Sequence, residues 1–177
     1  MRFVDLLKTT VMLSGAAATM LAVVTVIGAT HDKDETLVLI ATGWWIAGAI
    51  IGAALGRRAQ VTAPIGRLLA DAKQATMLPE HRPGAVILNR LWPLLASTVA
   101  AGAIGFLFPQ VPAVACGFAI IWSLAWRRQD SAVLAVEERD GVSYYVERTS
   151  PIRPMQLVRT PGLRREVPTL TSVNGTR

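Results

Sequence analysis

The residues from Thr36 to Gly56 include no charged side chain, and this uninterrupted apolar stretch is the strongest constraint on what the chain can fold into. An α-helix rises about 1.5 Å per residue, so a helix of this length reaches about 30 Å, the thickness of the hydrocarbon core of a bilayer. The stretch therefore predicts a helix that crosses a membrane once.

Three glycines, Gly48, Gly52 and Gly56, follow one another at four-residue spacing in the second half of this stretch. Residues four apart lie on the same side of a helix, and glycine lets a second backbone come close enough for dispersion contacts that lipid does not match. We interpret the glycines as a helix-packing face. The alternative is that they reflect only the high glycine content of membrane helices.

Three other charge-free blocks share this character, and together the four make the chain 52% apolar with only 17% charged residues. A soluble helix would show polar residues on one face throughout its length. The pattern predicts an all-α membrane protein whose residues 1–128 form four transmembrane helices in two antiparallel hairpins. The predicted spans cover residues 9–30, 36–56, 91–108 and 111–126.

The charged connections orient these spans. The link His31–Glu35 has a net charge of −2, whereas the segment 57–90 holds six basic and two acidic residues. The positive-inside rule places the basic segment and both termini in the cytoplasm, which predicts a multi-pass protein of the inner membrane. The first block could be a signal peptide cleaved after Ala29, but its length favours a retained helix.

The basic loop contains a further helical pattern over residues 64–77. Pro64 suits the first turn of a helix, and Ile65, Leu68, Leu69 and Ala72 recur at helical spacing. Because this helix is too polar to span, we expect it to lie along the headgroup layer or against the bundle.

Residues 129–177 form a predicted cytoplasmic tail with a different pattern. Two β-prone runs flank Asp140-Gly141, a dipeptide that suits a tight hairpin turn, and so predict a β-hairpin over residues 132–148. An isolated hairpin is marginally stable, so we expect it to dock on the cytoplasmic loop, on a second copy or on a partner. The last dozen residues are predicted to be disordered. The predicted partner-docking residues of the tail are Tyr144, Tyr145, Arg153 and Arg159.

Residue types that carry chemistry are scarce. The four predicted spans hold no ionisable side chain, which argues against a proton-coupled transporter or an intramembrane acid–base enzyme. The single cysteine, Cys116, lies in the last span and is interpreted as a buried small hydrophobe. His31 beside Asp32 and Asp34 offers at most a weak surface contact for a metal. We predict no catalytic residue, no metal site and no cofactor.

Basic residues gather near the predicted inner face of the membrane, where each gains about 1 kcal/mol from anionic lipid. They could serve only to orient the spans, or they could form a site for a lipid headgroup or phosphate. The candidates for that contact are Arg57, Arg58, Arg67, Lys73, Arg90, Arg127 and Arg128.

These features favour a small integral membrane protein that acts as an interaction or scaffold subunit, oligomeric or within a larger membrane complex. The expected partners are the bilayer with its anionic lipids, and further copies or other membrane proteins. Nucleic acid is not expected, because no motif supports it. The alternative functions are transport or permeation of a small or lipid-like molecule through an oligomer, and, third, a lipid-modifying enzyme.

Overall fold

A computed structural model of the chain describes residues 1–57, 60–74, 83–147 and 155–161. These residues are mostly helical and include a small sheet. The elements in chain order are α1 (Phe3–His31), α2 (Glu35–Leu55), α3 (Ala63–Ala70), β1 (Lys73–Gln74), α4 (Pro83–Ile104), α5 (Gln110–Trp126), α6 (Gln129–Asp140), β2 (Val142–Val146) and β3 (Leu157–Pro161).

Three of the described helices are long and apolar enough to cross a membrane. They are α1, α2 and the part of α4 from Gly84 to Ile104. Helix α5 has 17 residues, which reach about 26 Å and fall short of a full hydrocarbon core. The structure thus supports three candidate spans, and a fourth crossing remains a proposal.

The third predicted span begins too late in the chain. Helix α4 starts at Pro83, so Pro93 lies inside the helix and not in its first turn as the apolar block 91–108 suggested. The early start brings Val86 into a buried cluster at one end of the molecule, and this tertiary contact supports the additional turns. Contacts between the first turns of α4 and the buried cluster therefore extend the helix beyond the boundary that hydropathy suggested.

Helix α5 is the centre of the helical bundle formed by α1, α2, α4 and α5. It packs along both α1 and α2, whereas α1 and α2, although joined by a short link, contact each other much less. The Asp34 carboxylate begins α2 by accepting a hydrogen bond of 2.9 Å from the backbone N–H of Leu37. The first hairpin is therefore held together mainly through the helix inserted from the second.

At the other end of the bundle lies a folded cap, which we define as α3, α6, the three strands and residues 1–7. The sheet has the order β1-β3-β2, with β1 parallel and β2 antiparallel to the central strand β3. Arg2 forms a bridge with Tyr145 on the free edge of β2. The largest fully buried side chains of the cap are Ile65, Val133, Val146 and Leu157.

Helix α1 belongs to both parts of the molecule. Phe3, Val4, Leu6 and Leu7 are buried in the cap core, whereas further along the same helix Ala18 and Leu21 are buried in the bundle. At 29 residues the helix is about 44 Å long, which exceeds the hydrocarbon thickness by several turns. The cap is consequently built onto the end of a helix that also packs in the bundle.

The predicted hairpin over residues 132–148 is wrong. The first of its two runs lies in α6, and Gly141 ends that helix in the left-handed conformation, with φ 64°, instead of turning a hairpin. Val133 and Glu137, four residues apart, are buried on one side of α6, and this packing favours a helix over an extended run. Strand β2 pairs with β3, which lies beyond the predicted hairpin.

The helix predicted over 64–77, along the headgroup layer or against the bundle, is also too long. Helix α3 ends at Ala70, and Lys73 and Gln74 continue as a strand beside β3. Ile65 and Leu69, which form its apolar side, are buried in the cap core. That side of the helix is therefore occupied by protein contacts. Residues 75–77 of the prediction lie outside the described residues, as does the end that was predicted to be disordered.

Candidate functional site

The three glycines of α2 lie against α5 of the same chain. A methyl group at Gly48 would lie 3.0 Å from the Gly117 carbonyl oxygen, and one at Gly52 would lie 2.9 Å from the Leu124 Cβ. At Gly56 it would overlap the Leu124 carbonyl oxygen. Gly52 and Gly56 admit no side chain without a shift of α5, and Gly48 leaves room only for a small one, so the glycine face is used for packing inside the chain.

Two neighbouring tryptophans extend this contact toward the start of α5. The indole N–H of Trp44 donates to the Val114 carbonyl oxygen at 3.1 Å, and that of Trp45 donates to the Ala113 carbonyl oxygen at 2.9 Å. The face of Gly117 lies directly under the Trp44 ring, which a Cβ there would overlap. Both tryptophans are half-buried and bonded to α5.

On its other side α5 makes polar contacts with α1. The Cys116 thiol donates to the Ala18 carbonyl oxygen at 3.2 Å, and the Ser123 hydroxyl donates to the Val11 carbonyl oxygen at 3.3 Å. Cys116 is 1% exposed. Its sulfur therefore works as a weak hydrogen-bond donor in a helix contact, in addition to filling space.

A cavity of about 430 Å³ lies where α1, α2 and α5 meet. Its wall is mainly apolar, with small residues on α1 and the Trp45 ring on α2, while Thr19, Cys116 and Ser123 supply the polar atoms. The cavity lies here because α1 and α2 contact each other little.

The predicted basic site is only partly assembled. Arg57 and Arg128 meet where α2 and α6 come together, and the Arg128 guanidinium donates to the Arg57 carbonyl oxygen at 2.8 Å. Arg127 is exposed beside them, whereas Arg67 and Lys73 are exposed on the cap and Arg90 is half-buried in the third turn of α4. Arg58 lies outside the described residues. Arg57, Arg127 and Arg128 thus lie at the junction of cap and bundle, while Arg67, Lys73 and Arg90 lie on other elements.

The position of Arg90 bears on the prediction that the spans hold no ionisable side chain. The apolar block 91–108 excluded it, and the spans were accordingly expected to be free of ionisable groups. The candidate span Gly84–Ile104 includes Arg90, in the part of α4 that follows the cap contact of Val86.

A second pocket, of about 330 Å³, opens on the cap between α3, α6 and the sheet. Val61, Leu69 and Val136 supply apolar wall, and the charged or phenolic groups are Arg139, Asp140, Tyr144 and Arg159. Tyr144 and Arg159 were predicted as docking residues, and the structure places them directly opposite each other on β2 and β3. Tyr145 follows Tyr144 on β2, so its side chain lies on the opposite face of the sheet, and its backbone bridges Arg2. Arg153 lies outside the described residues.

Sequence reasoning missed Arg139 and Asp140, because it assigned Asp140 to a hairpin turn. The Arg139 guanidinium donates to the Asp140 carboxylate at 2.8 and 3.3 Å, and this hydrogen bond lowers the pKa of Asp140. Burial raises the pKa of Tyr144, and the nearby Asp140 carboxylate adds to that shift. A predicted helix that ends at Gly141 would have placed Arg139 and Asp140 next to β2.

One buried carboxylate fastens this region to the start of the chain. Glu137 is 5% exposed, pairs with the Arg2 guanidinium at 2.6 Å and accepts a 2.8 Å hydrogen bond from the Tyr144 backbone N–H. A buried carboxylate is stable only with such partners. Glu137 is therefore a structural group that joins α6, β2 and residue 2.

No three His, Cys, Asp or Glu residues within the described ranges lie close enough to hold a metal ion. Comparisons with protein-family models, with curated proteins and with solved structures give no match for this chain.

Proposed function

We propose that the chain is a membrane interaction or scaffold subunit that displays a folded cap at the cytoplasmic surface of the inner membrane. One observation carries the proposal: α1 contributes to the cap core through Phe3–Leu7 and to the bundle core through Ala18 and Leu21. A cap joined in this way keeps a fixed orientation relative to the helices, which a flexible linker would not provide. Fixed presentation of a surface is what a scaffold requires.

Two arguments from the sequence no longer support an oligomer. The glycine face of α2 is covered by α5, and the hairpin that seemed too small to stand alone is replaced by a cap with its own core. The surface available for lateral contacts is instead on α4. Only 6% of its span window is buried, compared with 28% for α1 and 22% for α2.

The topology proposed with this function has four crossings, with α5 as a short fourth span. Arg57, Arg127 and Arg128 lie at the cap end of the bundle, and the acidic link Asp32–Glu35 lies at the other. By the positive-inside rule this distribution supports a cytoplasmic cap. Local thinning of the bilayer would accommodate the 17 residues of α5.

The test combines native mass spectrometry with crosslinking in membranes. A photo-reactive residue at Val99, which is 72% exposed on α4, is compared with one at Met20, which is 66% exposed on α1. The proposal expects a defined complex after gentle extraction, with crosslinks to one of its components formed from position 99 and much less from position 20. A lone monomer in the spectrometer, together with no crosslinked species at either position, would contradict it.

The cavity between α1, α2 and α5 favours a second candidate, transport or permeation of a small or lipid-like molecule by an oligomer. Its volume of about 430 Å³ and its apolar wall suit part of such a molecule. A liposome flux assay distinguishes this candidate: flux no greater than that of empty vesicles would rule it out.

A further inference from the structure

The cap pocket brings together side chains from the consecutive elements α6 and β2 and from the central strand β3. Arg139 and Asp140 end α6, Tyr144 lies on β2 and Arg159 lies on the central strand β3. The pocket of about 330 Å³ falls in the size range of small-ligand sites, which combine an apolar wall with a few convergent polar groups.

Arg159 is the most firmly placed cation of the pocket. It lies on a strand paired on both sides, and it is half-buried. Across the described part of the chain no carboxylate forms an ion pair with it. A guanidinium held on a rigid strand presents a planar set of donors suited to an oxyanion.

Tyr144 adds a neutral donor beside this cation. The residue is 4% exposed, so its ring is fixed by the cap core while it also forms part of the pocket wall. A phenol with the ordinary pKa of about 10 is already protonated at neutral pH, and burial raises the pKa of Tyr144 further, so its hydroxyl can donate a hydrogen bond.

Arg139 supplies a second positive charge on the opposite side, held in place by its hydrogen bonds to Asp140. Two guanidinium groups and one carboxylate leave the pocket with a net charge of +1. An anion is therefore the complementary ligand.

We propose that this pocket binds a small ligand through a phosphate or carboxylate group, which Arg159 and the Tyr144 hydroxyl contact directly while Arg139 faces it from α6. The apolar wall of Val61, Leu69 and Val136 accommodates a ring or short chain attached to that group. This site is independent of the scaffold function proposed above, since it requires neither an oligomer nor a partner protein.

The chain has two tyrosines, and this makes the proposal directly measurable. The full-length protein labelled with 3-fluorotyrosine gives two fluorine resonances, which a Tyr145→Phe variant assigns. Phenyl phosphate is then titrated, with benzyl alcohol as the uncharged probe. We expect a saturable shift of the Tyr144 resonance with phenyl phosphate, little change with benzyl alcohol, and a nearly stationary Tyr145 resonance as the internal reference.

Substitutions separate a specific site from general charge. Arg159→Gln should weaken phenyl phosphate binding about tenfold or more, the size expected for one lost hydrogen bond to a charged group. Lys8→Gln removes the same charge at an exposed position of α1 outside the pocket and should leave binding unchanged. Arg159→Lys keeps the charge but not the planar guanidinium, so its affinity for phenyl phosphate should lie between those of the wild type and Arg159→Gln. An unshifted Tyr145 resonance in each variant shows that the sheet is still folded.

The source of the anion is distinguished by the membrane used. In nanodiscs that contain phosphatidic acid, a shift of Tyr144 that nanodiscs of phosphatidylcholine alone do not give would support a lipid headgroup as the ligand. A shift with dissolved phenyl phosphate only would support a soluble ligand. No Tyr144 shift in either arm, or equal shifts in wild type and Arg159→Gln, would overturn the proposal.

Discussion

The contact between α2 and α5 and the core of the cap are built in opposite ways. The first joins two long helices along a repeating pattern, with Gly48, Gly52 and Gly56 bringing backbones together and no charged group taking part. The second collects short pieces from across the chain, from Phe3 to Leu157, and depends on a buried ion pair. The difference teaches that a periodic packing face can be predicted from sequence, though not its partner, whereas a core assembled from scattered pieces cannot be predicted at all.

The comparison predicts that the helix contact is the less tolerant of added volume. Gly52→Leu would force a side chain into the Leu124 Cβ and the Ile121 backbone, both about 3 Å from a methyl group at that site. Overpacking costs about 1–3 kcal/mol and more where backbone must move, so we expect the largest loss of stability here. The measurement is thermal unfolding of the purified protein in detergent.

Gly43→Leu is the matched control for this substitution. Gly43 lies on the same helix, and among the described residues no atom outside its own stretch of helix comes within 4 Å of a methyl group placed there. Its melting temperature should stay close to that of the wild type. Equal destabilisation by both substitutions would show that leucine harms α2 for reasons other than the contact with α5.

The cap should respond most strongly to loss of its buried carboxylate. Glu137→Ala removes the partner of Arg2 and the acceptor of the Tyr144 N–H, with an expected cost of about 1–3 kcal/mol. Glu138→Ala, at the exposed neighbouring position, should change the free energy of unfolding by no more than about 0.5 kcal/mol. Chemical denaturation followed by near-UV circular dichroism measures both variants. Similar losses in the free energy of unfolding would show that Glu137 does not have the proposed structural role.

The two tryptophans test a smaller part of the helix contact. Trp45→Phe keeps an aromatic ring but removes the indole N–H that donates to Ala113 together with part of the ring volume. The expected cost is at least about 0.6 kcal/mol, the average for such hydrogen bonds between membrane helices. Trp92→Phe serves as the control, because Trp92 is 51% exposed on α4. If the control lost as much stability as Trp45→Phe, the hydrogen bond would have no measurable role.

The smallest expected effect is a pH dependence of the cap. The pKa of Tyr144 is raised in the folded state, so the native state retains this proton to higher pH than the unfolded chain does. Its contribution to stability is therefore complete below the ordinary tyrosine pKa of about 10 and is lost as the pH rises through the higher folded value. Denaturation at increasing alkaline pH should show a shallower decline for Tyr144→Phe than for the wild type, and parallel declines would contradict this assignment.

The sequence predicts the apolar helices well, because each carries a continuous pattern over at least 16 residues, and the short link at Asp34 also predicts their first hairpin. It does not show that α5 lies between α1 and α2, since nothing in the pattern states which helix faces the glycines. Hydropathy alone also gives no sign that the first turns of α1 and α4 belong to the cap, because buried and lipid-facing residues have similar composition.

The candidate pocket illustrates the same limit. Tyr144 and Arg159 could be selected from the sequence as exposed-looking residues of the tail, but their pairing depends on the register of β2 with β3. Val133 and Val136 suggested a strand through their β-branched side chains, and only burial against the sheet and α1 decides for the helix. Because that run was assigned to a strand, Arg139 and Asp140 were assigned to its turn and were not recognised as pocket residues.

The central claim is that the glycine face of α2 packs on α5 within one chain, and a disulfide tests it most directly. A Cβ at residue 48 would lie 3.5 Å from the Ile121 Cγ1, so Gly48→Cys with Ile121→Cys, in a Cys116→Ala background, brings two thiols within bonding reach. Oxidation in membranes that hold two differently tagged copies should give a disulfide inside each chain and no mixed-tag dimer. A mixed-tag dimer as the main product would show that the glycines pair between copies and would contradict the account.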